Sequence, residues 1–184
     1  MKTTIVYIHG YGSSPESETA VAIKKAFPDE NFVCPHIDHS SDPLDTYSML
    51  CTLAFELMSK DTIIIGSSAG GFWADLIGSS FGIKTVLINP SLLPAINFRK
   101  YNLPEEYYDD YEFLQDLTKD FTRRNIVAFV GENDDVVPVS HVHTHYKTPI
   151  ILKGEGHRLN DLYPIIDMIK SMVGNFPEHT DDNF

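Results

Sequence analysis

The chain has 184 residues, 42% of them hydrophobic, which is enough to fill one buried core without help from a metal ion or a disulfide. Its 26 acidic residues outnumber the 14 basic ones, and the net charge of -12 argues against nucleic acid or an anionic membrane surface as a partner. No stretch approaches the run of about 20 apolar residues that a membrane span needs. Two isolated cysteines, Cys34 and Cys51, indicate an intracellular, cytoplasmic protein, although a disulfide between them stays open.

Strand-length apolar runs alternate with segments of helical periodicity along the chain. Strands are predicted at 3–9, 32–36, 62–67, 84–89, 125–131 and 149–153. Helices are predicted at 15–27, 44–59, 70–81, 106–119, 139–146 and 159–173, the first with Ser14 as its N-cap. The unbroken apolar run Ile63–Ile65 indicates a strand that is covered on both faces, as in a parallel sheet. We therefore predict an α/β fold, a three-layer α/β/α sandwich whose mostly parallel sheet carries the chemistry at its carboxyl edge.

Residues 91–120 interrupt this alternation. The segment lacks an evident strand but is rich in aromatic and acidic residues, which predicts a small cap-like insertion packed over the sheet edge. We assign residues 1–176 to a single domain and the polar, acidic residues 177–184 to a flexible tail. Because only about 30 residues are left for the cap, we expect an open, shallow cleft.

The strongest local signal is the pentapeptide from Gly66 to Gly70, a G-x-S-x-G between a predicted strand and a predicted helix. In a nucleophile elbow the central residue is strained, and the flanking glycines prevent collisions with neighbouring elements. Ser68 occupies the nucleophile position, with Gly66 and Gly70 as the elbow glycines. The alternative is a glycine-serine turn that merely ends a strand.

A serine hydroxyl is a weak nucleophile unless a base removes its proton, so Ser68 requires a histidine and an orienting carboxylate. Asp134 follows the predicted strand at 125–131, and His157 follows the one at 149–153. The order serine, acid, histidine is the one expected for this fold. Taken alone, Asp134 or its neighbour Asp135 could be a helix N-cap, and His157 could be a surface histidine.

An oxyanion hole is predicted beside the serine. The loop after the first strand begins with His9 and Gly10, so its amides lie at the same sheet edge. The donors would be the backbone N–H groups of Tyr11 and of Ala69, which follows the nucleophile. We expect His9 to brace this loop rather than to act as a base.

Together these segments resemble the α/β-hydrolase superfamily, and within it the small bacterial esterases of the YqiA type. The similarity lies in YIHGYGSSPES, IIIGSSAGGFWA, LINPS, GENDDVVP and GEGH, and it extends from residue 4 to about residue 172. The resemblance implies helices on both faces of the sheet, hydrolysis of short-chain or thioester-like acyl substrates, and catalytic roles for Ser68, Asp134 and His157. Ala69 stands where such esterases often have a bulkier aliphatic residue, which can change the pocket width but not the amide.

We therefore predict a serine hydrolase that cleaves carboxylic esters of short or accessible acyl groups through an acyl-enzyme on Ser68. Its partner is a small-molecule ester, with no cofactor, no nucleic acid and no membrane; the sequence is silent on oligomeric state. A thioesterase or an amide hydrolase could use the same triad. The alternative from another class is a binding domain without catalysis.

The other histidines and aromatic residues that stand out in the sequence have structural explanations. His141 and His145 would share one face of a helix and could seat zinc, but no third ligand is evident, so we predict no metal site. Trp73, just past the elbow, is expected in the core. The tyrosines at 107, 108 and 111 are expected to line the cleft or cap the sheet edge.

Overall fold

Six strands form one sheet in which every neighbouring pair is parallel, in the order β2-β1-β3-β4-β5-β6. The computed structural model describes residues 2–57, 61–121 and 123–173, so the predicted tail at 177–184 lies outside the described residues. The strands are β1 (Thr4–Ile8), β2 (Asn31–Val33), β3 (Thr62–Ser67), β4 (Lys84–Ile88), β5 (Ile126–Gly131) and β6 (Ile150–Leu152). The prediction of an α/β sandwich with a parallel sheet is confirmed.

Helices connect the strands. They are α1 (Glu18–Ala26), α2 (Pro43–Leu57), α3 (Ala69–Phe81), α4 (Pro94–Asn97), α5 (Glu105–Leu117), α6 (Val139–His143) and α7 (Tyr163–Met172), with a short 3₁₀ helix at Arg99–Tyr101. Within the described residues, no helix is long and apolar enough to cross a membrane. The thiols of Cys34 and Cys51 are both free.

The helices cover both faces of the sheet because the strands are apolar on both faces. Ile63 and Ile65 pack with α1 and α7, whereas Ile64 between them packs with α2, α3 and α5. This period of two is that of a strand, and it explains why the run is apolar at each position.

The chain reverses its direction across the sheet after β2, and β3 pairs with the other side of β1. Ile8 of β1 stands beside Gly66 of β3, which in turn stands beside Leu87 of β4, so these strands end at the same level. The loops after them therefore meet at the carboxyl edge, where ligands bind in open α/β sheets.

Helix α1 begins later than the sequence indicated. Its N-cap is Ser17, whose hydroxyl accepts a hydrogen bond from the Ala20 N–H, and the prediction of Ser14 as N-cap was wrong. Ser14 instead bonds the N–H of Glu16 within a turn, since serine hydroxyls satisfy turn amides as readily as helix amides.

The segment at 91–120 forms α4, the 3₁₀ helix and α5. Its inner face is aromatic: Phe98, Tyr108 and Tyr111 are buried in the core on the α3 side of the sheet, and the Tyr111 ring lies 5.9 Å from that of Trp73, tilted by 50°. The segment is thus packed onto the helical layer through its rings. Its description as a cap stays a prediction.

Candidate active site

Ser68 stands in a strained turn between β3 and α3. Its backbone has φ 53° and ψ -120°, a region that side chains other than glycine rarely occupy. A Cβ on Gly66 would lie 2.4 Å from the Gly70 carbonyl oxygen, and one on Gly70 would lie 2.1 Å from the Ile8 carbonyl oxygen. The glycines of the G-x-S-x-G are therefore needed by the close packing of the elbow.

The backbone of Ser68 is held from the neighbouring strand. Its N–H donates to the Ile88 carbonyl at 2.9 Å, and its carbonyl accepts from the N–H of Ser91 at 2.9 Å. Both partners belong to β4 or the loop after it. The nucleophile position thus depends on β4 as well as on its own strand.

The side chains of Ser68, His157 and Asp134 form one continuous hydrogen-bonded line. Ser68 Oγ lies 2.9 Å from His157 Nε2, and His157 Nδ1 lies 3.0 and 2.9 Å from the two oxygens of Asp134. Since a carboxylate can only accept, Nδ1 carries the proton and Nε2 presents its lone pair to the serine hydroxyl. The residues come from the ends of β3, β5 and β6, as the sequence indicated.

The carboxylate of Asp134 is fully buried, and its electrostatics favour the ionised form. Burial alone raises the pKa of Asp134, but hydrogen bonds from His157 and from the N–H groups of Val137 and Val136 hold it below its ordinary value of 3.8. Asp134 therefore stays charged at neutral pH. Asp135 is exposed, so the structure brings the first member of the doublet, and not the second, to the histidine.

The loop after β1 passes directly over the nucleophile. A Cβ on Gly10 would lie 3.1 Å from Ser68 Cβ, so only glycine leaves this approach unhindered. Ala69 is the first residue of α3, where N–H groups lack an intrahelical acceptor. In the described part of the chain the Tyr11 N–H has no backbone acceptor either. Tyr11 follows Gly10, which approaches Ser68, and Ala69 follows Ser68 itself, so both predicted oxyanion donors are next to residues at this contact.

Two buried histidines support this loop from behind. His9 Nδ1 donates to the Gly10 carbonyl at 3.0 Å, while Nε2 accepts from the Ile37 N–H at 3.1 Å. His39 Nε2 donates to the His9 carbonyl at 2.9 Å. Burial lowers the pKa of His39 to about 4, partly opposed by that bond, so His39 is neutral at pH 7. Both rings act as supports of the loop backbone.

The Tyr11 side chain links the loop to the aromatic segment. Its ring stacks on that of Tyr101 with centroids 3.6 Å apart and planes within 2°, and its hydroxyl bonds Ser40 at 2.9 Å. Tyr11 is thereby held through its ring as well as through the loop backbone. The 3₁₀ helix at Arg99–Tyr101 contributes this contact, and the sequence did not indicate it.

Asn89, which the sequence did not indicate, contacts two loops of the site, the one after β5 and the one after β6. Its Oδ1 accepts from the Gly131 N–H at 2.7 Å, and its Nδ2 donates to the carbonyls of Gly156 and His157 at 3.0 and 2.8 Å. The available signal was its place in LINPS, directly after a strand that lies between those leading to Ser68 and Asp134.

The histidines of α6 do not converge. Helix α6 ends at His143, and His141 Nδ1 donates to Asn97 Oδ1 at 3.0 Å, which connects α6 to α4. Over the residues that are described, no group of three or more histidine, cysteine or acidic side chains is arranged to hold a metal ion.

A cavity of about 620 Å³ lies at the opposite, amino edge of the sheet, lined by the first residues of β5 and β6, by the segments before them and by Met168 of α7. Its lining includes Arg124, Lys147 and Ile150 but none of the triad residues. It is therefore separate from the candidate active site.

A model of the uncharacterised protein family UPF0227 matches residues 4–174 of the chain. A UPF0227 protein of Yersinia enterocolitica is 28% identical over 178 residues, covering 91% of this chain and 97% of the relative.

Solved structures with a similar fold include esterases and lipases. Est1E from Butyrivibrio proteoclasticus superposes with a TM-score of 0.73 at 15% identity, covering 92% of this chain and 86% of that one, and it has also been solved with ferulic acid bound. A monoacylglycerol lipase of Paleococcus ferrophilus gives 0.65 at 13% identity, with 92% and 94% covered. At these identities the similarity establishes the α/β-hydrolase fold.

Proposed function

This chain belongs to the uncharacterised protein family UPF0227, and we propose that it is a serine hydrolase that cleaves carboxylic ester bonds through an acyl-enzyme on Ser68. The proposal includes a small-molecule ester as substrate and no cofactor. A cytoplasmic location stays a prediction from the sequence.

The proposal rests above all on the line of hydrogen bonds from Ser68 through His157 to Asp134. A serine Oγ at 2.9 Å from an imidazole lone pair, with the opposite ring nitrogen bonded to an ionised carboxylate, is the arrangement that activates a hydroxyl for nucleophilic attack. The side chain of His157 is 17% exposed, so the ring borders the cleft, whereas Asp134 is fully buried behind it. Substrate can reach the base but not the acid.

In the first step Ser68 Oγ attacks the ester carbonyl carbon, and His157 Nε2 takes the hydroxyl proton. Asp134 stabilises the imidazolium and keeps Nδ1 as the protonated nitrogen. Collapse of the tetrahedral intermediate breaks the bond to the alkoxy oxygen, which leaves as the alcohol with the proton from His157. Water then attacks the acyl-enzyme by the same route and releases the acid.

The negative charge on the intermediate would be held by the N–H groups of Tyr11 and Ala69. Both are backbone donors beside Ser68, so they are already oriented before the charge develops. Losing one such donor typically costs about 2.7 to 4 kcal/mol in the transition state. The supports behind Tyr11, from His9 and from the Tyr101 ring, favour this role because they fix the loop that carries the amide.

The acyl preference is proposed from the size of the cap. Residues 91–120 place Phe98, Tyr108 and Tyr111 in the core, so these large side chains do not enclose a long acyl tunnel above Ser68. Short or accessible acyl groups are the expected substrates. The aromatic pair Tyr11 and Tyr101 lies beside the proposed oxyanion hole, and an aromatic acid ester such as methyl ferulate is a useful additional probe.

The nucleophile is tested by labelling with a fluorophosphonate and by hydrolysis of p-nitrophenyl acetate. We expect the wild type to be labelled and active, and Ser68→Ala to lose both labelling and turnover with an unchanged circular dichroism spectrum. Ser80 is an exposed serine of α3, the helix that begins directly after Ser68. Ser80→Ala is the control and should behave as wild type. An unlabelled, inactive wild type would favour the binding domain instead.

The bond and the acyl group are tested by a matched series. Acetyl, butyryl, octanoyl and palmitoyl p-nitrophenyl esters are compared with thioesters and anilides of the same acyl groups. We expect kcat/KM to be highest for the short esters. A preference for palmitoyl would contradict the proposed open cleft, and faster thioester turnover would replace esterase by thioesterase.

A further inference from the structure

The end of β4 contacts both the nucleophile and the base of the proposed triad. The carbonyl of Ile88 accepts from the Ser68 N–H at 2.9 Å, and the side chain of the next residue, Asn89, donates to the His157 carbonyl at 2.8 Å. Two adjacent residues therefore fix the backbones of Ser68 and His157 relative to each other. The 2.9 Å distance between Ser68 Oγ and His157 Nε2 depends on that spacing.

The histidine loop needs such an anchor because its own strand is weak. Strand β6 has three residues, pairs with β5 alone among the described strands, and leaves Ile150 and Ile151 about 40% exposed. His157 lies five residues beyond its end, after Gly154 and Gly156, which let the backbone move freely. The loop does bond the acid loop, since the Glu155 carbonyl accepts from the Asn133 N–H at 2.8 Å and the Gly154 N–H donates to the exposed Glu132 carboxylate at 3.0 Å. These contacts do not connect it to β4.

Asn89 supplies this connection with its whole amide. Its Oδ1 accepts from the Gly131 N–H, just ahead of the loop that carries Asp134, while its Nδ2 donates both hydrogens to the histidine loop. The side chain is 1% exposed, so these bonds are made away from competing water. The acid loop and the histidine loop are thus held by one group.

Asparagine fits the backbone and the hydrogen bonds at position 89 better than glycine, aspartate or glutamine would. The backbone has φ 45°, in the left-handed region that asparagine and glycine tolerate best. Glycine lacks the amide. Aspartate can accept from Gly131 but would set a carboxylate oxygen against two carbonyl oxygens. Glutamine is longer by one carbon, and its amide would not reach the same atoms from this backbone.

We propose that Asn89 is a positioning residue of the active site, which holds the backbone of the histidine loop so that the His157 imidazole stays between Ser68 and Asp134. Asn89 touches no substrate and acts through the loop. The inference rests on the proposed serine-hydrolase function.

The main test compares Asn89→Gly with wild type. Glycine keeps the left-handed backbone and removes only the amide. We expect kcat for p-nitrophenyl acetate to fall by up to about 100-fold, the effect of a misplacement near 1 Å, with KM changed little, and the rate of fluorophosphonate labelling to fall in parallel. Asn102→Gly is the matched control, since Asn102 also has a positive φ of 51° but is exposed and makes no side-chain hydrogen bond in the described structure.

Asn89→Asp is the second variant, in case the glycine variant does not fold. It is almost isosteric, keeps the bond to Gly131, and should show the same loss of kcat. If Asn89 were only structural, both variants would unfold at lower temperature but keep the wild-type kcat per labelled site. That result would overturn the inference.

A readout independent of hydrolysis separates this inference from the proposed function. The proton on His157 Nδ1, bonded to Asp134, should give a far-downfield resonance that is absent in His157→Gln. We expect the resonance to persist in Asn102→Gly and to broaden or vanish in Asn89→Gly. If it is unchanged in both, Asn89 does not position the ring, whatever the activity of the wild type. An inactive wild type whose resonance still depends on Asn89 would contradict the function alone.

Discussion

Asp134 and Asp75 are two buried aspartates in different parts of the molecule, and each has a basic partner. Asp134 lies at the carboxyl edge with its side chain 0% exposed, and Asp75 lies midway along α3 at 4%. Asp75 receives two hydrogen bonds from Arg123, at 3.0 and 3.1 Å, and a short one from the Tyr146 hydroxyl. By burial and pairing alone the two carboxylates are alike.

The two aspartates differ in the further contacts that their basic partners make. Arg123 keeps its charge at every pH of interest and donates a further N–H to Thr118, so it can neither release a proton nor accept one. His157 gives one nitrogen to Asp134 and turns the other to Ser68, at a site open to the cleft. A buried ion pair therefore indicates catalysis only when the basic partner can exchange its proton and still presents a free atom to substrate.

The largest expected effect sharpens this comparison at Asp134. Asp134→Asn should lower kcat for p-nitrophenyl acetate by up to about 10⁴-fold, because the amide cannot hold the imidazole in the required tautomer. Its Oδ1 can still accept from Val136 and Val137, so the urea midpoint should change little. Asp135→Asn is the control, with wild-type kcat. A kcat for Asp134→Asn within about tenfold of wild type would remove Asp134 from the proposed triad.

The reverse result is expected at Asp75. Asp75→Asn leaves the Arg123 guanidinium buried without its counter-charge, and removing one member of a buried pair costs about 3 to 5 kcal/mol. Urea unfolding measures this loss, and p-nitrophenyl acetate hydrolysis, corrected for the folded fraction, should keep its wild-type kcat. If kcat per folded molecule fell with stability unchanged, the two aspartates would not be separable in this way.

The smallest effect concerns His39, a buried ring that lies at the catalytic edge yet supports only backbone. In the unfolded chain His39 is protonated below its ordinary pKa of 6.5. In the folded chain burial lowers the pKa of His39 to about 4. Stability is therefore lost as the pH falls from 6.5 to 4, by about 3 kcal/mol from this residue at 1.36 kcal/mol per pH unit.

Urea unfolding at pH 7 and pH 4.5 checks this prediction. His39→Gln, which keeps a donor for the His9 carbonyl, should lose less stability on acidification than wild type. His143→Gln, at an exposed histidine of α6, should follow wild type. Equal acid sensitivity of wild type and His39→Gln would show that the His39 ring does not govern the response.

The sequence predicted those features that depend on neighbours along the chain. The elbow could be predicted because the glycines and the strand-to-helix order all fall within residues 62–81. Of the doublet after β5, the structure places Asp134 against His157 and leaves Asp135 exposed. Asn89 and the Tyr11–Tyr101 stack could not be predicted, because each depends on which strand ends lie side by side in space. A polar residue after a strand is as compatible with an ordinary turn as with an anchor.

The same limit explains the errors at helix ends. Either Ser14 or Ser17 has the side chain needed to cap α1, and only the packing of the helix against the sheet decides between them. The short α4 and the 3₁₀ helix lie on either side of the buried Phe98, and each is too short to show a helical period in the sequence.

The order of the strands along the chain also determines when the parts of the site are made during synthesis. Ser68 and His157 are separated by 89 residues, so a ribosome adding about 5 to 20 residues per second makes the nucleophile about 4 to 18 s before its base. During that interval the serine hydroxyl has no imidazole to take its proton. If the proposed mechanism holds, a nascent chain cannot hydrolyse esters until His157 has emerged, and chains truncated before that residue should remain inactive even if their first strands fold.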